Sequence, residues 1–350
     1  MASAGLTREK TELIIDQYEE LAGKLESFEL MPQGLFNENA QLKAAGQIYV
    51  LKKMTVGRTV DRHRYGAQIQ NILANDGFPC PRVLCTRDGR EISSFDGDLW
   101  SVQTWADGRY CSVEMRDGPE ALQLRTEIGT ALGQLHANCR EALRLGNLPP
   151  APEEARLSIS RKISRIESEY RNLFGGSLRK ISTSTRLRFK LRRSSAEKEA
   201  LVLMPVLKEG CRQLLNWDFS QHSSLEVLGP CHGDINWENL FFQDFKLAAV
   251  LDFDNAMEMN QTFDAAAAAA VICADNTEHL EAFLIAYEQA GGAPVEREIF
   301  PDLMLLKYVR SLLFQMGLLL SGGTGNHELA KSWREFLAKN IDRLTASKTR

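Results

Sequence analysis

Asp234, Asn239, Asp252 and Asp254 are the side chains in this sequence whose types and spacing could do chemistry together. They stand in two strings, His232-Gly233-Asp234-Ile235-Asn236-Trp237-Glu238-Asn239 and Leu251-Asp252-Phe253-Asp254. Carboxylate and amide oxygens are hard ligands, suited to a magnesium ion that also holds phosphate oxygens. The chemistry they point to is phosphate chemistry at a divalent cation. A solvated hairpin with acidic turns is the plain alternative.

These residues act together only if the chain folds them onto one rim. Leu240-Phe241-Phe242 and Leu247 to Leu251 are short apolar runs joined by a polar turn at Gln243-Asp244, which predicts two buried strands. One strand leaves the loop that carries Asp234 and Asn239; the other delivers Asp252 to its end. Upstream, Thr7 and the spacing of Leu13, Ile14, Tyr18, Leu21 and Leu25 predict a helix over 7–26. Phe28 to Met54 reads as strand, turn, strand, with a polar loop over Gly34 to Asn39. In the second strand Lys52 and Lys53 point to opposite faces.

Residues 60–75 predict a helix, and Trp100 to Gly108 a strand that runs out into a linker, with Trp100 a core residue. From Pro119 the pattern turns helical. Leu124, Ile128, Leu132 and Leu135 share a face, and His136 beside them reads as a satisfied core histidine. Further helices are expected over 197–217, along the alanine run ending at Ala270, and near 277–290, 296–321 and 327–346. The greasy stretch from Leu303 to Leu320 is broken by Lys307, Arg310 and Gln315, so it reads as a buried helix.

A hydrophobic fraction of 44% and a charged fraction of 25% are those of an ordinary globular protein. The net charge of -4 argues against a general nucleic-acid coat. No apolar run of signal-peptide type stands at the N-terminus. Seven scattered cysteines fit reduced thiols, and Cys80 and Cys85 lack the second pair a zinc site would need.

His-Gly-Asp, four residues, Asn, then Asp-Phe-Asp resembles the signature of the aminoglycoside phosphotransferase and choline kinase-like superfamily. The layout is that of the protein-kinase catalytic loop and Asp-Phe-Gly segment, with Gly233 where protein kinases carry arginine. The resemblance implies an α+β, bilobal protein kinase-like fold. Residues 1–104 would be a small β-rich nucleotide-binding lobe. Residues 105–350 would be a larger, mainly α-helical lobe with a basic helical insert at about 156–198.

It further implies Asp234 as catalytic base, Asn239 and Asp252 as magnesium ligands, and Asp254 at a second metal or a cationic substrate group. Lys52, in Tyr49-Val50-Leu51-Lys52, would contact the phosphates. Asn37 and Asn39 would lie in the hairpin that covers the nucleotide, and Gln103 to Trp105 in the linker whose backbone pairs with adenine. His232 would support the catalytic loop. Asp264 would brace it, or equally serve as a simple N-cap. The family's helix glutamate that pairs with the lysine is missing; Gln68 would orient Lys52 by a hydrogen bond without neutralising it.

The implied activity moves the γ-phosphate of ATP or GTP, with Mg2+, to a hydroxyl of a small molecule: a sugar, amino alcohol, nucleoside or antibiotic-like metabolite. The expected location is the cytoplasm, with no membrane or nucleic-acid partner. Residues 156–198 hold 13 Lys/Arg against Glu167, Glu169 and Glu197. That stretch is either a solvated basic hairpin or an electropositive wall, and the second reading favours a neutral or anionic acceptor over a polycationic one. Tyr170, Phe174 and Phe189 are too sparse to stack a nucleic acid. Two rivals remain: a nucleotide-binding protein without catalysis, and then a Ser/Thr protein kinase. For the latter, the short run from Asp254 to Phe263-Asp264 leaves no room for an activation loop.

Overall fold

A computed structural model describes residues 6–31, 38–54, 57–173, 195–322 and 327–347. Asn37, Phe174, Phe189 and about half of the basic stretch lie outside the described residues. The chain forms two compact units. One joins Met1–Arg156, Gly229–Gln261 and Glu278–Ala293; the other joins Leu157–Leu228, Thr262–Thr277 and Pro294–Arg350.

In chain order, the elements open with α1 (Arg8–Ile15), β1 (Leu25–Leu30), β2 (Asn39–Ala44), β3 (Gln47–Lys53) and α2 (Val60–Asn75). Then come β4 (Ser93–Phe95), β5 (Asp98–Thr104), β6 (Arg109–Tyr110), α3 (Val113–Asp117) and α4 (Ala121–Arg144). Next are β7 (Arg156–Leu157), α5 (Ile159–Asn172), α6 (Ser195–Leu215), β8 (Gly229–Cys231), β9 (Leu240–Gln243), β10 (Lys246–Val250) and β11 (Met257–Met259). The described helices end with α7 (Gln261–Ile272), α8 (Thr277–Gln289), α9 (Phe300–Ser321) and α10 (His327–Ser347).

The first unit is built on a five-stranded sheet in the order β1-β2-β3-β5-β4. Its neighbouring strands are antiparallel, so directly opposed residues share a face. The apolar side of the sheet, with Leu42, Leu51, Trp100 and Val102, packs on Ile14, Ile15, Tyr18 and Leu21. The register pairs Asn39 with Lys52 and Lys52 with Ser101. Asn39, expected in a loop, is thus a strand residue.

Thr7 caps α1, accepting from Lys10 N–H at 3.2 Å. The helix expected over 7–26 nevertheless ends at Ile15. Asp16 Oδ1 accepts from Gly23 N–H at 2.9 Å and folds the remainder into turns, where Tyr18 and Leu21 are fully buried. In contrast α4 runs further than Leu135-His136, to Arg144. It lies close to α8, because a Cβ on Gly129 or Gly133 would come within 2.3 Å of the Phe283 or Tyr287 carbonyl oxygen. His136 is fully buried and bonded to Tyr287 Oη at 2.9 Å, a satisfied core histidine.

The second unit is helical. Its α9 is long and apolar enough to cross a membrane by length and composition. Eleven of its residues, including Leu305, Leu306, Leu312 and Leu313, are buried in protein. Val309 on α9 and Ile341 on α10 close over Gly210 on α6. Ala265 to Ala270 are all buried along α7, and Tyr308 Oη donates to the Ala270 carbonyl at 2.6 Å.

Candidate active site

The anticipated strand pair is present: β9 and β10 are antiparallel, with Leu240 opposite Val250 and Gln243 opposite Lys246. The turn falls one residue later than expected, at Asp244 and Phe245, both with positive φ (49° and 61°). That is the backbone of the primed turns that match strand twist. The hairpin does what its sequence required. It brings Asn239 in and carries Asp252 out at the same open end, where Leu251 N–H donates to the Asn239 carbonyl at 2.8 Å.

Between β8 and β9 the loop is held from within. His232 is fully buried and stacks edge-on against Phe253 at 4.6 Å between ring centres. Its Nδ1 accepts the Asp234 N–H at 3.3 Å, so the proton sits on Nε2, which donates to the Leu251 carbonyl at 3.0 Å. One imidazole thereby ties the Asp234 loop to the end of β10. Gly233 has φ +83°, and a Cβ there would come within 2.5 Å of the Asn255 carbonyl oxygen. Only glycine fits both demands.

The Asp234 carbonyl accepts from Asn239 Nδ2 at 2.9 Å and from Asn236 Nδ2 at 3.2 Å. One Asp234 carboxylate oxygen accepts from Asn255 Nδ2 at 3.3 Å. Buried Trp237, on the same loop, lies within 5.0 and 4.9 Å of the Arg116 and Arg125 guanidinium groups. Such cation–π contacts hold a ring against a charged neighbour when both lose water.

Lys52 reaches the Asp252-Phe253-Asp254 segment from β3. Its Nζ lies 2.7 Å from Asp252 Oδ1 and 2.8 Å from Asp254 Oδ1, and it is 6% exposed. Burial alone would lower the lysine pKa; Asp254 and then Asp252 outweigh it and hold the ammonium above its ordinary range. Burial likewise pushes the Asp252 carboxyl up, but the Lys52 ammonium overrides this and keeps it below the usual carboxylate value. Asp252 also adopts left-handed backbone (φ 62°, ψ 69°), a costly conformation for a non-glycine residue and one concentrated at functional sites.

Other predicted positions fare differently. Gln68 is half-buried on α2, but the carboxylates of Asp252 and Asp254 are what Lys52 meets, so orientation by Gln68 gives way to direct ion pairing. The α2 amide that faces the sheet is Gln70, which donates to the Pro81 carbonyl at 2.7 Å and to Gln103 Oε1 at 3.3 Å. Gln103 lies inside β5, opposite Val50, and also bridges Val83. Trp105 is 37% exposed and its N–H donates to the Ile48 carbonyl at 3.2 Å. Asn39 keeps a buried Oδ1 without a hydrogen-bond donor. Asp264 is buried in the first turn of α7, three residues past its start, so it is not that helix's N-cap.

Three residues at the site went unread in the sequence: Asn255, Arg58 and Arg62. Arg58 and Arg62 flank the N-terminus of α2, where the helix dipole disfavours cations. That misplacement was the available signal. The structure answers it with carbonyl oxygens, since both arginines donate to the segment 254–256.

Asp252, Asp254 and Asn239 together present hard oxygen donors. Lys52 engages Oδ1 of each carboxylate, and Asn239 uses its nitrogen on the Asp234 carbonyl, which turns its Oδ1 away from that bond. The donor set therefore fits a magnesium ion.

A description of the phosphotransferase enzyme family matches residues 27–299. Homoserine kinase of Pseudomonas aeruginosa strain PAO1 is 23% identical over 323 residues, covering 89% of this chain and 86% of the relative. Among solved structures, spectinomycin phosphotransferase in complex with ADP and spectinomycin superimposes with a TM-score of 0.68 at 11% identity, covering 97% of this chain and 99% of that one. An aminoglycoside phosphotransferase from Alicyclobacillus acidocaldarius gives 0.63 at 13% identity, covering 99% and 96%. At such identities the structures establish a shared, protein kinase-like fold. The family match begins ahead of the lysine strand and runs past the alanine-rich helix, so it is the whole frame, and not the motif alone, that makes this chain a member of the phosphotransferase enzyme family and a small-molecule kinase.

Proposed function

We propose that this kinase transfers the γ-phosphate of ATP or GTP to a hydroxyl group of a small metabolite, with Asp234 as the residue that aligns and deprotonates the acceptor. The observation that carries the reading is the meeting of Lys52 on β3 with Asp252 and Asp254 just past β10, about 200 residues on, together with an Asp234 held by three side-chain amides. Phosphoryl transfer asks little covalent work of a protein; positioning and charge neutralisation do most of it. Lys52 supplies a buried, permanently charged ammonium for phosphate oxygens. Asn239, Asp252 and Asp254 would hold Mg2+, which when bound neutralises phosphate charge. Asp234 keeps its backbone tied on both sides, so its carboxylate is presented in one orientation to the acceptor hydroxyl.

For the acceptor we favour a neutral or anionic hydroxy compound, such as a hydroxy amino acid. The homoserine kinase relative, aligned over most of both chains, supports this class. So does the basic character of residues 156–198. A second reading, nucleotide binding without turnover, draws on the missing α2 carboxylate for Lys52. It is the weaker one, because Lys52 already has two carboxylate partners.

A coupled ADP- and GDP-release screen with Mg-ATP and Mg-GTP against hydroxy amino acids, amino alcohols, sugars, nucleosides and aminoglycosides tests both. Substrate-dependent turnover that Asp234→Asn reduces by about a hundredfold or more, with nucleotide affinity retained, is the expected result. Full turnover in Asp234→Asn would sink the assignment; nucleotide binding with no turnover across the panel would favour the second reading.

A further inference from the structure

The α2 helix has no glutamate for Lys52, yet it is joined to the catalytic segment by another route. Arg58, just ahead of the Thr59 cap, donates through Nη1 to the Asp254 carbonyl and through Nη2 to Asn255 Oδ1 at 2.7 Å. Arg62, 4% exposed, donates to the Ala256 carbonyl and to the Asn255 carbonyl at 3.0 Å. Burial, reinforced by neighbouring Arg58, pulls the Arg62 pKa down to about 10.

The amide of Asn255 is the pivot. A guanidinium can only donate, so Asn255 must turn its Oδ1 to Arg58, and its Nδ2 then faces Asp234 Oδ2 at 3.3 Å. We infer that Asn255 is a positioning residue for the proposed catalytic base and that Arg58 sets its orientation, so that the segment leading into α2 governs Asp234 through an Arg58–Asn255–Asp234 relay.

This inference rests on Asp234 acting as proposed. Physically, the Nδ2–H bond holds Oδ2 of the Asp234 carboxylate in place. It also restrains rotation of the carboxylate about its own bond. With the amide reversed, a carbonyl oxygen would face a carboxylate, and the bond would become a repulsion. Arg62 fixes the backbone on which Asn255 is mounted and so limits how far the relay can move.

Two measurements test it. In steady-state kinetics, Asn255→Asp and Arg58→Met should each lower kcat by about tenfold to a hundredfold while the KM for nucleotide changes by less than about twofold. Arg58→Lys, which still only donates, should restore most of the Arg58→Met loss. The second readout needs no turnover. In 15N-labelled protein the side-chain amide resonance of Asn255, identified by its loss in Asn255→Ser, should move in both Asp234→Asn and Arg58→Met, with thermal midpoints checking that each variant folds. An Asn255 amide signal indifferent to both substitutions would overturn the relay. So would equal losses of kcat and nucleotide affinity, the mark of a merely structural role. If the wild-type enzyme turned over no acceptor, the kinase reading would fall, and the amide signal would still decide whether the relay exists.

Discussion

At the scale of single residues, a buried ammonium between two carboxylates sets the electrostatics of the site. Replacing Lys52 by Met would leave Asp254, 8% exposed, facing Asp252 with no cation between them. Breaking a buried pair in this way costs roughly 3 kcal/mol or more. Urea denaturation of Lys52→Met at pH 7 should show a loss of that order, together with weakened nucleotide binding. The pH dependence has a definite sign. The raised Lys52 pKa contributes stability that is full below the unfolded lysine value, about 10.4, and is lost as pH rises through the higher folded value. The depressed Asp252 pKa contributes stability that is full above the unfolded value, about 3.9, and is lost as pH falls through the lower folded value. The gap between wild type and Lys52→Met should therefore be widest between these limits and close below them; a gap indifferent to acid would mean the pair adds nothing. Lys52, Asp234, Asn239 and Asp252 could be singled out in the sequence because the proposed phosphate chemistry would restrict both their types and their spacing. Arg58 and Arg62 were not, because their acceptors, three of them carbonyl oxygens and one the Asn255 amide oxygen, lie nearly two hundred residues away. Backbone acceptors leave no trace in a side-chain pattern.

At the scale of elements, helix positions, strand pairs and the hairpin followed from periodicity and turn residues. The rotation of α2 about its own axis did not. Sequence counting offered Gln68 to Lys52, whereas the face turned to the turn at Phe253 is that of His63, Ala67 and Gln70. What sets this contact is Gly66, where a Cβ would come within 2.6 Å of the Phe253 carbonyl oxygen. Backbone atoms cannot swing aside as a side-chain tip can, so α2 or the Asp-Phe-Asp segment must shift. Gly66→Ala poses two effects against each other. Helix propensity favours alanine by about 1 kcal/mol, while overpacking at a fixed backbone costs about 1–3 kcal/mol. The prediction is a net loss of stability, with kcat falling more than nucleotide affinity because the shift falls on Asp254 and Asn255. A more stable, fully active Gly66→Ala would mean that the two elements are less closely packed. The sequence did carry the other half of this contact: Gly233, named for its place in the motif, is glycine for a reason that only the approach of Asn255 reveals.

At the scale of the whole chain, every residue given a direct part in the proposed chemistry belongs to one compact unit. Lys52 lies in its first segment, and Asp234, Asn239, Asp252 and Asp254 in its second. Asp264, expected to brace the catalytic loop, belongs to the other unit. This division makes a prediction about how ligand binding is felt. A nucleotide that binds only the folded chain stabilises it by mass action, by about 2.7 kcal/mol at a hundredfold excess over Kd. If the carboxylates and Asn239 hold magnesium, that stabilisation requires the metal and is lost on chelation with EDTA. Hydrogen exchange should then place the added protection on β2, β3, α2 and the segment 229–256, with the exchange of α6, α9 and α10 changed far less. Local openings differ in free energy along a chain, and a ligand raises those that expose its own contacts. A Mg-ATP effect that survives EDTA unchanged would remove Asn239, Asp252 and Asp254 from the metal site. Protection concentrated instead on α6, α9 and α10 would mean that the nucleotide binds where neither the motif nor the lysine leads.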